Sequence, residues 1–201
     1  MCVNTAERKR VLMESRPVAF ARKIRSNRSG SDFYTTPYEA VTPLLDNLHL
    51  CGRVLDPCCG TGNISRMLLR RGLSVEFNDI EEYDCGLSPH TTMDFIGGGF
   101  RGYDAVVANP PYTLAQEFIE ESLAATADRR GKVAMLLRLS FLEGQRRRKM
   151  FDTTPLSKVL VFSRRISCLL EGRPQENSGS IAFAWLVWDH RHKGNPELSW
   201  I

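Results

Sequence analysis

Asn109-Pro110-Pro111-Tyr112 follows directly on the apolar run Asp104-Ala105-Val106-Val107-Ala108, and its residue types suit chemistry on a planar amino nitrogen. The NH2 group of an adenine ring or of a side-chain amide is a poor nucleophile, because its lone pair is delocalised into the neighbouring π system. Hydrogen-bond acceptors change that. The Asn109 amide oxygen and the Pro110 carbonyl can each accept from the NH2 group and draw it toward tetrahedral geometry as a bond forms. Pro110 and Pro111 fix φ at two successive positions and hold those acceptors rigid, and Tyr112 adds an aromatic face for a planar group. A proline-rich turn after a buried strand would show the same four residues, so a second site has to support the chemistry.

That second site is Val54-Leu55-Asp56-Pro57-Cys58-Cys59-Gly60-Thr61-Gly62-Asn63. It reads as a short apolar strand, a glycine-containing turn and the start of a helix over Ile64 to Arg71, with Gly72 as its C-cap. The layout is that of a nucleotide-binding loop, but Asp56 stands at the strand end and a third loop glycine is missing. An acid there suits a cationic ligand better than a pyrophosphate. The next strand, Leu73 to Phe77, ends at Asn78-Asp79, which puts Asp79 where an acid reads ribose hydroxyls, roughly 20 residues beyond the loop. Asp94-Phe95 then offers a carboxylate and a ring for the amino edge and face of an adenine.

In this order the segments resemble those of class I S-adenosylmethionine-dependent, adenine-specific DNA methyltransferases, especially the compact phage and prophage forms, over nearly the whole chain. The resemblance implies a Rossmann-like class I methyltransferase fold: a seven-stranded, mostly parallel sheet with an antiparallel last strand inserted between its neighbours and helices on both faces. It implies S-adenosyl-L-methionine as cofactor. Asp56, Pro57, Cys58, Gly60, Gly62 and Asn63 would hold its methionine part, Asp79 and Ile80 its ribose side, and Asp94 and Phe95 its adenine. Tyr34, Thr35, Thr36 and Pro37 would close over the methionine end. Asn109, Pro110, Pro111 and Tyr112 match the catalytic motif, with Asn109 also bordering the cofactor. Methyl transfer to the adenine amino group would be direct and in line, with Tyr112 stacking the extruded base.

Several elements must position these groups. Thr36-Pro37-Tyr38-Glu39 reads as a helix start, with Thr36 as cap, proline at the first helical position and glutamate at the third. Pro43 is expected to kink or interrupt that helix before Leu44 to Leu48. Leu114 to Arg130 reads as an amphipathic helix along Leu114, Phe118 and Leu123, ending before Gly131. Val133 to Leu137, Val159 to Phe162 and Ile181 to Trp188 read as strands, the last with Phe183, Trp185 and Val187 on alternate positions. Trp185 and Trp188 are expected to pack rather than stack bases. Glu197 to Ile201 is the expected last strand.

At 201 residues and 42% hydrophobic content, the chain can bury a substantial core, and no apolar run approaches the roughly 18 residues of a membrane span. The polar start Met1 to Arg10 lacks a signal-peptide core, so the expected location is the cytoplasm of a bacterial or phage-infected host cell. Six cysteines without zinc spacing suggest reduced thiols and no metal. Pro57-Cys58 invites comparison with the nucleophile of cytosine carbon-5 methyltransferases, but this cysteine sits in the cofactor loop, and transfer to an amino group needs no covalent intermediate.

The net charge is +4, and the basic residues cluster. Residues 1–30, a basic arm, carry Arg22, Lys23, Arg25 and Arg28 among others, and Arg146, Arg147, Arg148 and Lys149 form a second group. Both are candidate phosphate contacts with DNA as the expected partner and RNA as the alternative. Residues 31–201 are expected to form one catalytic domain without a separate target-recognition domain. Sequence preference should therefore be relaxed or short, supplied by the arm and by loops at 141–150 and 167–180, the latter a candidate lid. Adenine in RNA, a protein glutamine amide, and an inactive fold serving as a nucleic-acid-binding scaffold remain rival readings.

Overall fold

The computed structural model describes residues 34–83, 85–88, 90–166, 169–170 and 181–201, all within the compact unit Asp32–Ile201. The basic arm, with Arg22, Lys23, Arg25 and Arg28, lies outside them.

Strands β1 (Tyr34–Thr35), β2 (Arg53–Asp56), β3 (Ser74–Asp79), β4 (His90–Thr92), β5 (Ala105–Ala108), β6 (Lys132–Arg138), β7 (Leu156–Val161), β8 (Leu169–Leu170), β9 (Phe183–Asp189) and β10 (Glu197–Trp200) alternate with helices α1 (Tyr38–Asn47), α2 (Asn63–Arg70), α3 (Ala115–Thr126) and α4 (Gln145–Thr153). Eight strands make one sheet in the order β10-β7-β9-β6-β5-β2-β3-β4, while β1 and β8 form a separate antiparallel ribbon. The central strands are apolar on both faces, as strands covered by helices must be. On β5, Val106 and Ala108 face one core and Ala105 and Val107 the other; on β6, Val133, Met135 and Leu137 alternate in the same way with Ala134 and Leu136. Phe118 and Ile119 of α3 cover the first face, and Val41, Leu44, Ile64 and Leu68 of α1 and α2 cover the second.

The antiparallel strand is β9, paired on one side with β6 and on the other with β7. The expected last strand, β10, is an eighth strand that pairs parallel with β7 at the sheet edge. Strand length explains β9: Phe183–Asp189 is long, apolar and buried along six of its seven positions, as befits a strand between two partners. β10 is exposed at three of its four positions, with Leu198 and Trp200 open to solvent. Trp185 and Trp188 are fully buried and donate their indole N–H groups to Ala40 O at 2.8 Å and Thr154 Oγ1 at 3.0 Å.

Three local expectations change. Pro43 lies inside one continuous helix, Tyr38–Asn47. The carbonyl that loses its partner belongs to exposed Glu39 in the first turn, where water reaches it, and the buried stripe Ala40, Val41 and Leu44 holds the helix in place. Pro37, not Thr36, is the N-cap residue, without a side-chain capping bond. The helix after Asn109–Tyr112 stops at Thr126; Gly131 beyond it is required because a Cβ there would meet Asp104 O at 2.3 Å.

No helix among the described residues is long and apolar enough to cross a membrane.

Candidate functional site

Chain order reverses between β2 and β5: β3 and β4 extend the sheet to one side of β2, β5 and β6 to the other. In an open α/β sheet the crevice beyond the strand carboxyl ends at such a switch point is where ligands bind. Asp56 ends β2 and Asn109 follows β5, so the two motifs read from sequence meet at that crevice.

Thr36 is the joint between them. Its carbonyl accepts from Asn63 Nδ2 at 2.9 Å, and its hydroxyl oxygen accepts from Asn109 Nδ2 at 3.0 Å. Three segments far apart in the chain thus converge on one buried threonine. The amide nitrogen of Asn109 is engaged by Thr36, so the carboxamide's acceptor, Oδ1, is held in one orientation. The Cys58 thiol reaches the Asn109 carbonyl at 3.5 Å, a second link between the glycine loop after β2 and the Asn109–Tyr112 segment. Residues Leu169–Leu170, the described part of the 167–180 loop, pair with Tyr34–Thr35 next to Thr36.

The loop itself is built on left-handed glycines. Gly60 has φ +51° and Gly62, the N-cap of α2, has φ +79°; a Cβ on Gly62 would also come within 2.8 Å of Leu87 Cδ1. Asp79 Oδ2 accepts from Gly60 N–H at 2.9 Å, and its Oδ1 accepts from Ile80 N–H at 2.7 Å. The acid thus fastens the loop to the end of β3. Asn78 extends this stitching, donating to Pro57 O at 3.2 Å and Met93 O at 2.9 Å and so joining the ends of β2, β3 and β4. Arg66 bonds Thr61 O at 2.6 Å and Cys85 O, bracing the loop from outside.

Charge accumulates on this side. Asp56 is completely buried, with Ser65 Oγ donating to its Oδ2 at 2.7 Å. Burial pushes its carboxyl up to about 7; the Ser65 hydrogen bond opposes the shift and the Asp79 charge adds to it. Burial raises Asp79 as well, against the pull of its backbone hydrogen bonds. Burial together with these two acids drives the Cys58 thiol well above its ordinary value. It therefore stays protonated, which argues against a thiolate nucleophile at this position.

The adenine-side expectations divide. Asp94 accepts from Ile96 N–H at 3.0 Å, but the Phe95 ring is 2% exposed and packs with Phe118 and Phe100 at centroid distances of 5.2 and 5.4 Å. Its face is spent on the core. The apolar side chains open to solvent here are Ile80, 46% exposed, and Met93, 45% exposed. Met93 donates its N–H to Asp79 O at 2.9 Å, so it sits beside Ile80 at the rim. Only its exposure beyond β4 marks it, which no local pattern shows.

Tyr112 opens a 3-10 turn after the two prolines, its ring 6.0 Å from that of Phe183. The Arg138 guanidinium lies 4.9 Å from the centre of the same ring. Of the basic group on α4, Arg147 is turned inward, donating to Phe141 O and Glu143 O at 2.6 Å each and lying over the Phe141 ring. Arg148 pairs loosely with Asp152 at 3.5 Å, while Arg146 and Lys149 are exposed. Arg147 therefore braces the loop that follows β6 instead of offering its charge outward.

No family model matches the chain, and no curated protein matches it in sequence. Solved structures match its fold. The chain is similar over its full length to 53% of a protein described as a modification subunit of a type I restriction enzyme from Vibrio vulnificus, with a TM-score of 0.53 at 16% identity. Over 89% of its length it is similar to 74% of a SAM-dependent O-methyltransferase from Thermotoga maritima, with a TM-score of 0.53 at 15% identity. Over 75% it is similar to 37% of the Pyrococcus abyssi tRNA (uracil-54, C5)-methyltransferase solved with S-adenosyl-L-homocysteine, with a TM-score of 0.51 at 16% identity. The chain spans about half the length of the Vibrio protein. Its fold is the Rossmann-like class I methyltransferase fold, with an additional edge strand.

Proposed function

We propose that the protein transfers a methyl group from S-adenosyl-L-methionine to the exocyclic amino nitrogen of adenine in DNA, with relaxed or short sequence preference. The observation that carries this reading is the convergence on Thr36, which ties the cofactor loop through Asn63 to the acceptor side chain of Asn109. The residues present suit the cofactor. Buried Asp56 and Asp79 favour a cation, Asp79 retains lone pairs for ribose hydroxyls, and Ile80 and Met93 offer apolar surface for a flat ring. The cofactor, when bound, supplies an electrophilic methyl group.

This chain's residues do the rest by positioning. Asn109 Oδ1 and the Pro110 carbonyl accept from the target amino group and localise its lone pair, and Tyr112 supports the ring that bears it. Pro110 and Pro111 keep the acceptors from moving as the base docks. The proton lost from nitrogen after transfer can pass to solvent, because the leaving thioether is neutral and no strong base is required beforehand.

Purified protein incubated with labelled S-adenosyl-L-methionine and matched DNA, RNA and protein pools should place label on adenine in DNA. Label confined to RNA, or on glutamine side chains, would replace the substrate. No incorporation into any pool would reduce the fold to a scaffold.

A further inference from the structure

Arg138, Arg164 and Arg165 belong to no motif read from the sequence, yet all three stand at the carboxyl ends of strands, on the same edge as Asn109. β6 and β7 run in the same direction, since each is antiparallel to β9 between them. Arg138 ends β6 and pairs with Phe183. From the other side, Phe162 donates its N–H to the carbonyl of that same Phe183 at 3.3 Å. Arg138 and Phe162 therefore share one row across the sheet, two strand spacings or about 10 Å apart. Arg164 and Arg165 follow just beyond, both exposed, on a segment tied down by Ser163 N–H to Ile201 O at 2.8 Å. Arg138 itself is half-buried, and its Nε finds no hydrogen-bond partner among the described residues. A guanidinium with a dry, unused donor beside an aromatic ring is costly unless an acceptor arrives.

We propose that this edge is the phosphate track of the substrate: Arg138 takes the phosphate beside the base held at Tyr112, and Arg164 and Arg165 take the ones that follow. The inference rests on the nucleic-acid reading above and deepens it, because a polyanion is the ligand such a row fits. The Arg138 guanidinium lies over the Tyr112 ring at 4.9 Å from its centre, and its planar fork suits a phosphate oxygen pair. A glutamine side chain in a protein would bring no anion to this row.

The test is the salt dependence of binding to a short single-stranded, adenine-containing DNA, followed by fluorescence anisotropy. Arg138→Gln should lower the slope of log affinity against log salt by about 0.7, and the paired Arg164→Gln, Arg165→Gln variant by about twice that. Arg138→Lys should keep the slope. Arg191→Gln, exposed at the opposite edge of the sheet, should leave it unchanged, and all variants should bind S-adenosyl-L-methionine like the parent. A merely structural role for Arg138 would lower turnover and leave the slope alone. Unchanged slopes in a protein that methylates DNA overturn the track and spare the reading. Lowered slopes in a protein that transfers no methyl group to DNA uphold the track and overturn the reading. A parent protein that methylates a protein amide and binds no DNA overturns both.

Discussion

The crevice has two sides built on opposite principles. At and beyond the ends of β2, β3 and β4 stand Asp56, Asp79, Glu81 and Asp94, with buried Asp56 held by the Ser65 hydroxyl and buried Asp79 by backbone N–H groups. Beyond β6 and β7 stand Arg138, Arg146, Lys149, Arg164 and Arg165, all but Arg138 exposed. On the acidic side Asp56 and Asp79 are buried and hydrogen-bonded in place. On the basic side the cations other than Arg138 are exposed and spread out, the arrangement the proposed phosphate track requires. Two oppositely charged residues are locally engaged: Arg66 bonds backbone carbonyls on the acidic side, and Asp152 pairs with Arg148 on the basic side. Asn109 follows β5, between the two sides.

If the two sides do separate jobs, substitutions should separate binding from turnover. The largest effect is expected at the boundary. Asn109→Ala should cut methyl transfer by about 10²–10³-fold, the usual loss for a preorganised group that acts at the reacting atom. Cofactor affinity measured by calorimetry should stay nearly constant. Strong residual turnover would remove Asn109 from the chemistry. On the acidic side, Asp79→Ala should weaken cofactor binding by about 10-fold or more, since it removes charged hydrogen-bonding capacity and releases Gly60 N–H together. Affinity for DNA should change far less. Equal losses in both affinities would show that the two sides are not separable.

The acidic side was much more legible in the sequence than the basic one. Its loop is local: strand, glycines and acid stand within a dozen residues, and the positive φ values at Gly60 and Gly62 are what those glycines announce. Asn109 to Tyr112 was legible for the same reason. The basic side depends on pairing across the chain. Arg138 acquires its place from Tyr112 and Phe183, and Arg164 from following Phe162, which shares that row across β9, so neither shows in a window of neighbouring residues. Conversely Arg147, conspicuous in a run of four cations, is spent on carbonyls of the preceding turn. An aromatic beside an acid looks like a ring-stacking pair, but Phe95 lies in a bend beyond β4 that turns its ring into the core against Phe100 and Phe118. The exchange of β9 and β10 has the same origin: which strand is inserted between two others is a matter of partners, not of composition.

A smaller effect tests the link between the sides. Thr36→Val removes the acceptor for Asn109 Nδ2 and keeps the carbonyl that Asn63 uses. One hydrogen bond of this kind is worth about 0.5–1.5 kcal/mol, so kcat should fall by about 2- to 10-fold. Cofactor affinity should barely move, and Thr36→Ser should restore turnover. A Thr36→Val variant that lost cofactor binding and kept kcat would place Thr36 wholly on the acidic side.

The last effect is a pH dependence that only the acidic side should produce. The Asp56 carboxyl moves from an ordinary 3.8 to about 7 on folding, chiefly through burial. A raised folded-state value means that the native protein holds this proton more tightly than the unfolded chain does. Stability without cofactor should therefore fall as pH rises from about 4 to about 7 and then level off. The charged form that burial disfavours is the one a cationic ligand needs, so S-adenosyl-L-methionine should bind more tightly as pH climbs through the same range. Opposite slopes for stability and affinity are thus expected in thermal melts and calorimetry, and Asp56→Asn should flatten both. If the affinity slope survives that substitution, the group responsible is Asp79, whose carboxyl is raised by the same burial, and the ligand's cationic part lies nearer β3 than β2.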